Sequence, residues 1–265
     1  MSSLFEIIRN YNEIIKKTER KLRHNVKRYF FSKKLHAATP IFVFQMGKVA
    51  SSSIFHSFRS SNYLGAVGHG HDVDPTNWKA KCLYDWNKNG GPLNIISTIR
   101  EPIGRNVSHL FQHYESVTGV KYQKSNLTLE QTKDLFLKNM NHDEPLTWFD
   151  KNIKDIFGID VYSTPFPPSG HIELSKGNIN LLIMRFDLSD DIKQQLIQNF
   201  THFSDYKIKN KNVSVNKIYY KTYKDFTSKV KLPKKYIEHM CTSKYFKHFF
   251  PENEINDIRA KWSEQ

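Results

Sequence analysis

Ile41-Phe42-Val43-Phe44-Gln45-Met46-Gly47-Lys48-Val49-Ala50-Ser51-Ser52-Ser53-Ile54 reads as a buried strand, a turn of small residues carrying one lysine, and the opening of a helix. Four apolar residues in a row are the pattern of a strand covered on both faces. Beyond the turn, Ile54, Phe55 and Phe58 recur at helical spacing, and Ser51 to Ser53 stand where they can cap that helix. A strand ending at a helix N-terminus makes an anion cradle, because unpaired backbone N–H groups and the positive end of the helix dipole face the loop. Lys48 adds a point charge and the serines add hydroxyl donors. Gly47, Lys48, Val49, Ala50, Ser51, Ser52 and Ser53 are therefore candidate binding residues for a phosphate or a group of that shape.

The turn departs from the nucleotide triphosphate loop. That motif has a glycine five residues before the Gly-Lys pair and a Ser or Thr after it to hold magnesium. Here the earlier glycine is missing and Val49 follows Lys48. The cradle is expected to hold its anion without a metal.

Ser97-Thr98-Ile99-Arg100-Glu101-Pro102-Ile103-Gly104-Arg105-Asn106-Val107-Ser108-His109 repeats the design. Leu93 to Ile99 reads as a strand. Pro102 suits the first turn of a helix, whose apolar face carries Ile103, Val107, Leu110, Phe111 and Tyr114. Arg100 stands at the carboxyl end of the strand, where open α/β sheets bind ligands. An arginine fork with the Ser108 hydroxyl suits a terminal phosphate, although an arginine there can equally tie the strand end to a carboxylate.

Outward from these motifs, strands alternate with helices. Short strands are expected at Tyr63–Val67, Ile159–Tyr162 and Asn180–Met184. Trp78 and Trp86 are the expected buried points of 74–92. Helices are expected near Leu129–Met140, over Trp148–Phe157 ending at Gly158, with a face at Ile192, Leu196, Ile197 and Phe200, and near Lys234–Phe249 and Glu252–Trp262. The fold class is α/β, a parallel sheet flanked by helices.

At 265 residues the chain has room for one large domain, and its formal net charge of +14 calls for an anionic partner without choosing among nucleic acid, membrane, cofactor and substrate. Two cysteines, Cys82 and Cys241, make neither a disulfide framework nor a zinc pattern and favour a reducing compartment. No run of about 18 apolar residues suggests a membrane span, and no signal peptide is visible. The expected location is the cytoplasm, including the inner face of its membrane.

Residues 1–39 stand apart from the domain expected over 40–265. Leu4, Ile7, Ile8, Tyr11, Ile14 and Ile15 keep a helical stripe, and ten Lys/Arg face three Glu. Such a basic amphipathic helix either lies on a membrane or partner or packs on the domain with a solvated basic face.

The pairing of Gln45–Ser53 with Arg100-Glu101-Pro102 and Arg105-Asn106-Val107-Ser108 resembles the sulfotransferase superfamily. The resemblance implies a P-loop-like sulfotransferase fold and the co-substrate 3′-phosphoadenosine 5′-phosphosulfate (PAPS). Lys48 and the backbone of 47–53 would hold its 5′ end, Arg100 and Ser108 its 3′-phosphate, with no metal. Trp148-Phe149-Asp150, Phe157–Tyr162, Leu181–Leu188, Leu232–Tyr236 and Lys247–Phe250 resemble bacterial sulfotransferases known as capsular polysaccharide synthesis proteins. That implies a carbohydrate acceptor and no nucleic acid. Ala50 departs from the glycine such relatives often carry.

Sulfuryl transfer to a hydroxyl needs a base. His69-Gly70-His71 follows the second expected strand and resembles the His-Gly-His of heparan 2-O-sulfotransferases. The resemblance gives the role of base to His71, with His69 second and Lys48 stabilising the departing phosphate. Aromatic and basic residues interleave over Asn212 to Phe226, suiting either a stacking surface or an ordinary lid. Two other readings remain: a P-loop kinase-like enzyme, which the arginine ending the strand 93–99 argues against, and a polyanion binder, which leaves both motifs unexplained.

Overall fold

The computed structural model describes residues 2–49, 51–74, 76–209 and 217–264. It opens with a long helix, α1 (Ser2–Leu35), followed by β1 (Ile41–Phe44), α2 (Ser51–Arg59), β2 (Val67–Gly70), α3 (Trp78–Lys88), β3 (Leu93–Ile99) and α4 (Pro102–Gln112). The short α5 (Tyr114–Thr118), α6 (Leu129–Asn139) and α7 (Glu144–Phe149) come next. A π-helical turn at Asp150–Lys154 then leads into α8 (Asp155–Phe157). A hairpin of β4 (His171–Lys176) and β5 (Ile179–Arg185) precedes α9 (Asp190–Thr201), α10 (Tyr220–Lys229), α11 (Lys234–Cys241), α12 (Lys244–Phe249) and α13 (Glu252–Trp262).

The five strands form one sheet in the order β2-β1-β3-β5-β4. β1, β2, β3 and β5 run parallel; β4 is an antiparallel edge. The alternation of side chains along each strand divides the core into two layers. Phe42, Phe44, Ile95, Ile99, Leu181 and Ile183 face one layer, with Ile103, Val107 and Phe111 of α4 and the C-terminal helices. Ile41, Val43, Ile96, Leu182 and Met184 face the other, against Ile54 and Phe58 of α2 and Ile197 and Phe200 of α9. The expected α/β class and the flanking helices are both present.

Several bounds differ from the sequence reading. The second strand is Val67–Gly70, not Tyr63–Val67. Tyr63 is held by its hydroxyl donating to the Thr39 carbonyl, and Ala66 N–H donates to Lys34 O, so 63–66 belongs to the approach. His69 consequently lies inside the strand, paired in register with Val43. Ile159–Tyr162 makes no strand: Val161–Ser163 is a 3₁₀ turn whose N-cap, Asp160, accepts from Tyr162 N–H. Ser51 to Ser53 form the first turn of α2 rather than preceding it. Trp78 and Trp86 are half-buried, and Ala80 and Leu83 are the buried positions of α3. Gly158, in the left-handed region at φ 73°, ends α8 as expected.

Glycines at 68 and 70 let α3 press against β2. A Cβ on Gly68 would stand 2.4 Å from Leu83 Cδ1, a fully buried atom pair. Gly68→Ala is expected to lower stability by roughly 1–3 kcal/mol through overpacking, read as a lower midpoint in thermal or urea unfolding.

α1 packs on α3 through Phe31 and His24, whose rings meet Trp78 edge-on at 5.3 and 5.4 Å. Ile14 and Ile15 of the sequence stripe are exposed. Leu4, Ile7, Ile8 and Tyr11 lie outside the described side chains. Ala50 and residues 210–216, including the first part of the expected aromatic–basic segment, also lie outside the description.

Candidate functional site

The carboxyl ends of β1, β2, β3 and β5 share one edge of the sheet. From β1 the chain turns to β2 on one side, and β3 lies on the other. This is the switch point at which open α/β sheets leave a crevice. The turn after β1 and the start of α4 after β3 both open into it.

Three successive carbonyls of the first turn are held from the β3–α4 side. Arg105 Nε donates to Gly47 O at 3.0 Å. Arg100 Nη1 donates to Lys48 O at 3.3 Å. The Thr98 hydroxyl lies 2.5 Å from Val49 O and 2.6 Å from Gln45 Oε1, which also accepts from Thr98 N–H at 2.6 Å. In a trans peptide the N–H points opposite its carbonyl, so fixing these oxygens turns the intervening N–H groups away from β3. Lys48 itself sits in the left-handed region at φ 75°. A left-handed residue in such a turn brings successive N–H groups toward one point, the arrangement that binds anions.

Positive charge is crowded here. Lys48 is partly buried, its ammonium donates to Gln112 Oε1, and its pKa falls to about 8. Burial is the main cause, followed by repulsion from Arg100, Lys217 and Arg105. Arg105 is fully buried. Its Nη1 donates to Asn106 Oδ1 at 3.0 Å, and Nη2 lies 2.7 Å from Glu144 Oε1, an ion pair off the axis of a hydrogen bond. Arg100 packs its guanidinium 5.0 Å from the Phe186 ring centre and reaches the Tyr223 hydroxyl at 3.4 Å. The Tyr245 hydroxyl pins its backbone, donating to Arg100 O at 2.9 Å. Lys48 and Arg100 thus converge on the same turn.

The two histidines of the His-Gly-His stretch have different surroundings. His69 is tucked beside Phe55 at 5.4 Å, and its Nε2 is buried without a partner. Desolvation, then repulsion from His71 and His56, lowers its pKa to about 4 and keeps it neutral. His71 is exposed, and its Nδ1 lies 2.6 Å from the Gln45 carbonyl. A carbonyl only accepts, so Nδ1 carries the proton and, in the neutral ring, Nε2 carries the lone pair. Trp148 Nε1–H donates to His71 O at 2.8 Å and fixes the residue from below. His109 of α4 and His113, which caps that helix, stack at 4.5 Å. Burial, then Arg105, holds His109 at about 4; burial, then Lys48, lowers His113.

The structure therefore sets Arg100 against the turn of Gly47, Lys48 and Val49, and His71 against Gln45 just ahead of that turn. Ser52 and Ser53 stand in the first turn of α2; the Ser51 side chain and Ala50 are not described. Ser108 lies two turns into α4, and no described contact joins it to Arg100. Sequence reasoning missed Arg105 as a site residue. Its signal was a charge set among the apolar positions Ile103, Val107 and Leu110.

Among known proteins, one similarity bears on this site. Residues 121–251 match the model of the family NKWYS, described as "Putative capsular polysaccharide synthesis protein". No curated protein and no solved structure matches the chain. The matched segment supplies Glu144, Trp148, Lys217, Tyr223 and Tyr245, the partners that hold or face Arg105, His71, Lys48 and Arg100.

Proposed function

We propose that this protein is a sulfotransferase that moves a sulfuryl group from PAPS to a hydroxyl of a carbohydrate. The observation that carries the proposal is that Arg100 holds the Lys48 carbonyl of the first turn while a tautomer-fixed His71 is bonded to Gln45 just ahead of it. Burial and then the neighbouring Arg100, Lys217 and Arg105 lower the Lys48 pKa to about 8, and a bound nucleotide phosphate would favour its charged form again. The carbohydrate acceptor rests on the family description of residues 121–251.

PAPS brings the sulfuryl group and leaves as 3′,5′-bisphosphoadenosine (PAP). The turn's N–H groups and Lys48 would hold the 5′ end, and Arg100, with Ser108 farther along α4, the 3′-phosphate. His71 Nε2 takes the proton of the acceptor hydroxyl as its oxygen bonds to sulfur and the sulfur–phosphate oxygen bond breaks. Lys48 balances the charge that grows on the departing phosphate. His69, neutral at working pH, adds no competing charge behind His71.

Calorimetry with PAP, and separately with ATP and magnesium, tests the donor. Metal-independent PAP binding is expected; binding of ATP with magnesium alone would make the protein a kinase-like enzyme instead. Labelled-sulfate transfer to a panel of glycans, lipids and small alcohols tests the acceptor. His71→Ala should lower turnover about 10²–10⁴-fold while PAP affinity stays within about threefold, a loss confined to the transition state. Retained turnover in that variant would move the base elsewhere.

A further inference from the structure

α1 carries apolar and aromatic residues on two sides, among polar ones that include Glu19 and Lys33 on the outer side, and the domain covers one side. On the inner side Phe31 is 7% exposed, and it and His24 lie against Trp78. On the outer side Ile14, Ile15, Leu22, Val26, Tyr29 and Phe30 stay 42–64% exposed. At about 100° per residue these six fall in an arc of roughly 160°, centred about opposite His24 and Phe31. Lys16 and Arg23 border the arc on one side, and Lys17 and Lys21 on the other, all exposed. Over Ser2–Leu35, ten Lys/Arg stand against three Glu.

We propose that this outward face of α1 lies on an anionic lipid bilayer, with the helix in the plane of the interface. The apolar stripe would enter the boundary between headgroups and chains, while the bordering lysine and arginine stems reach outward to lipid phosphates. An anionic surface attracts such a helix strongly. Pairing with a second copy is disfavoured, because it would bring the cationic borders of both helices together. The contact is with a surface, since no helix among the described residues is long and apolar enough to cross a membrane.

The full chain should be sedimented with vesicles of phosphatidylcholine alone and of phosphatidylcholine mixed with phosphatidylglycerol, at low and high salt. The expected result is binding to the mixed vesicles only, weakened by salt. The pairs Leu22→Ser with Phe30→Ser, and Lys21→Glu with Arg23→Glu, should each weaken it at least about tenfold, with unchanged unfolding temperature because all four side chains are exposed. Equal binding to neutral vesicles, no binding, or binding indifferent to both pairs overturns the proposal. So does a dimer that the Leu22→Ser, Phe30→Ser pair disperses without any vesicle binding, which would assign the face to a second copy.

Discussion

Lys48→Met is expected to unfold at a higher temperature than the parent protein and to bind PAP at least about a hundredfold more weakly, since it deletes a charge-assisted contact in a desolvated mouth. The gain in stability follows from the lysine's own surroundings. Its pKa falls from 10.5 to about 8 on folding, with burial first and the neighbouring cations after it. The charged form is therefore disfavoured in the folded state. Below about pH 8 both states are protonated and the full penalty is present. Between about 8 and 10.5 the unfolded chain holds more protons, so parental stability rises with pH; above that range the penalty has vanished. The methionine variant should lack this slope, and its advantage, on the order of 2 kcal/mol at neutral pH after allowance for screening, should shrink toward pH 10.5. Lys48→Gly should stabilise by about 1 kcal/mol more, because glycine accepts the left-handed backbone at no steric cost. Stability given up at one residue is the mark of a site kept for binding. Urea unfolding across pH, beside PAP titrations, measures both effects; a Lys48→Met protein less stable than its parent at pH 7 would remove the argument.

The same lysine sets how binding responds to pH. A bound anion favours the ammonium form, so PAP binding takes up a proton wherever free Lys48 has begun to lose its own. Affinity is expected to be flat below about pH 8 and to fall by up to about tenfold per pH unit above it. Lys48→Arg, which does not titrate there, should flatten that fall. A profile unchanged by the arginine would place the titration on another group.

The frame of the molecule was legible where burial acts on both faces of a strand. Leu93–Ile99 carries Leu93, Ile95, Ile96 and Ile99, is buried along its length and forms β3 with the expected bounds. β2 was misplaced because Val-Gly-His-Gly has little strand preference of its own. It is a strand through pairing with β1 and the closeness of α3, which a side chain at 68 would push away. β4 was missed although His171–Lys176 alternates and Gly177, at φ 60°, turns the hairpin; a scheme of strand–helix crossovers has no place for an antiparallel edge. At the site, both strand–turn–helix motifs could be read directly, because strand ends and helix starts announce themselves locally; His71 was singled out as the base by resemblance alone. The clamp on the turn could not. It depends on Arg105 meeting Gly47 and Glu144, contacts made only after the sheet has formed.

Arg105→Ala is expected to be the most damaging substitution at the site, costing about 3–5 kcal/mol. The side chain is wholly buried, and its removal strands three partners, Gly47 O, Asn106 Oδ1 and Glu144. The Gly47 carbonyl loses its donor and Glu144 loses its counter-ion. Arg105→Lys should recover little, since an ammonium cannot serve Gly47 O, Asn106 Oδ1 and Glu144 Oε1 in the fixed directions of the guanidinium fork. Arg105→Met combined with Glu144→Met separates the two losses. If the cost lies mainly in the uncompensated carboxylate, the double variant regains much of the stability, yet it still binds PAP poorly because the turn is no longer held at Gly47. If it lies in the carbonyl and the void, the double variant stays as unstable as Arg105→Met alone. Recovery of both stability and PAP affinity would show that Arg105 does not shape the anion site. Loss of stability with affinity unchanged in the surviving folded fraction would lead to the same conclusion.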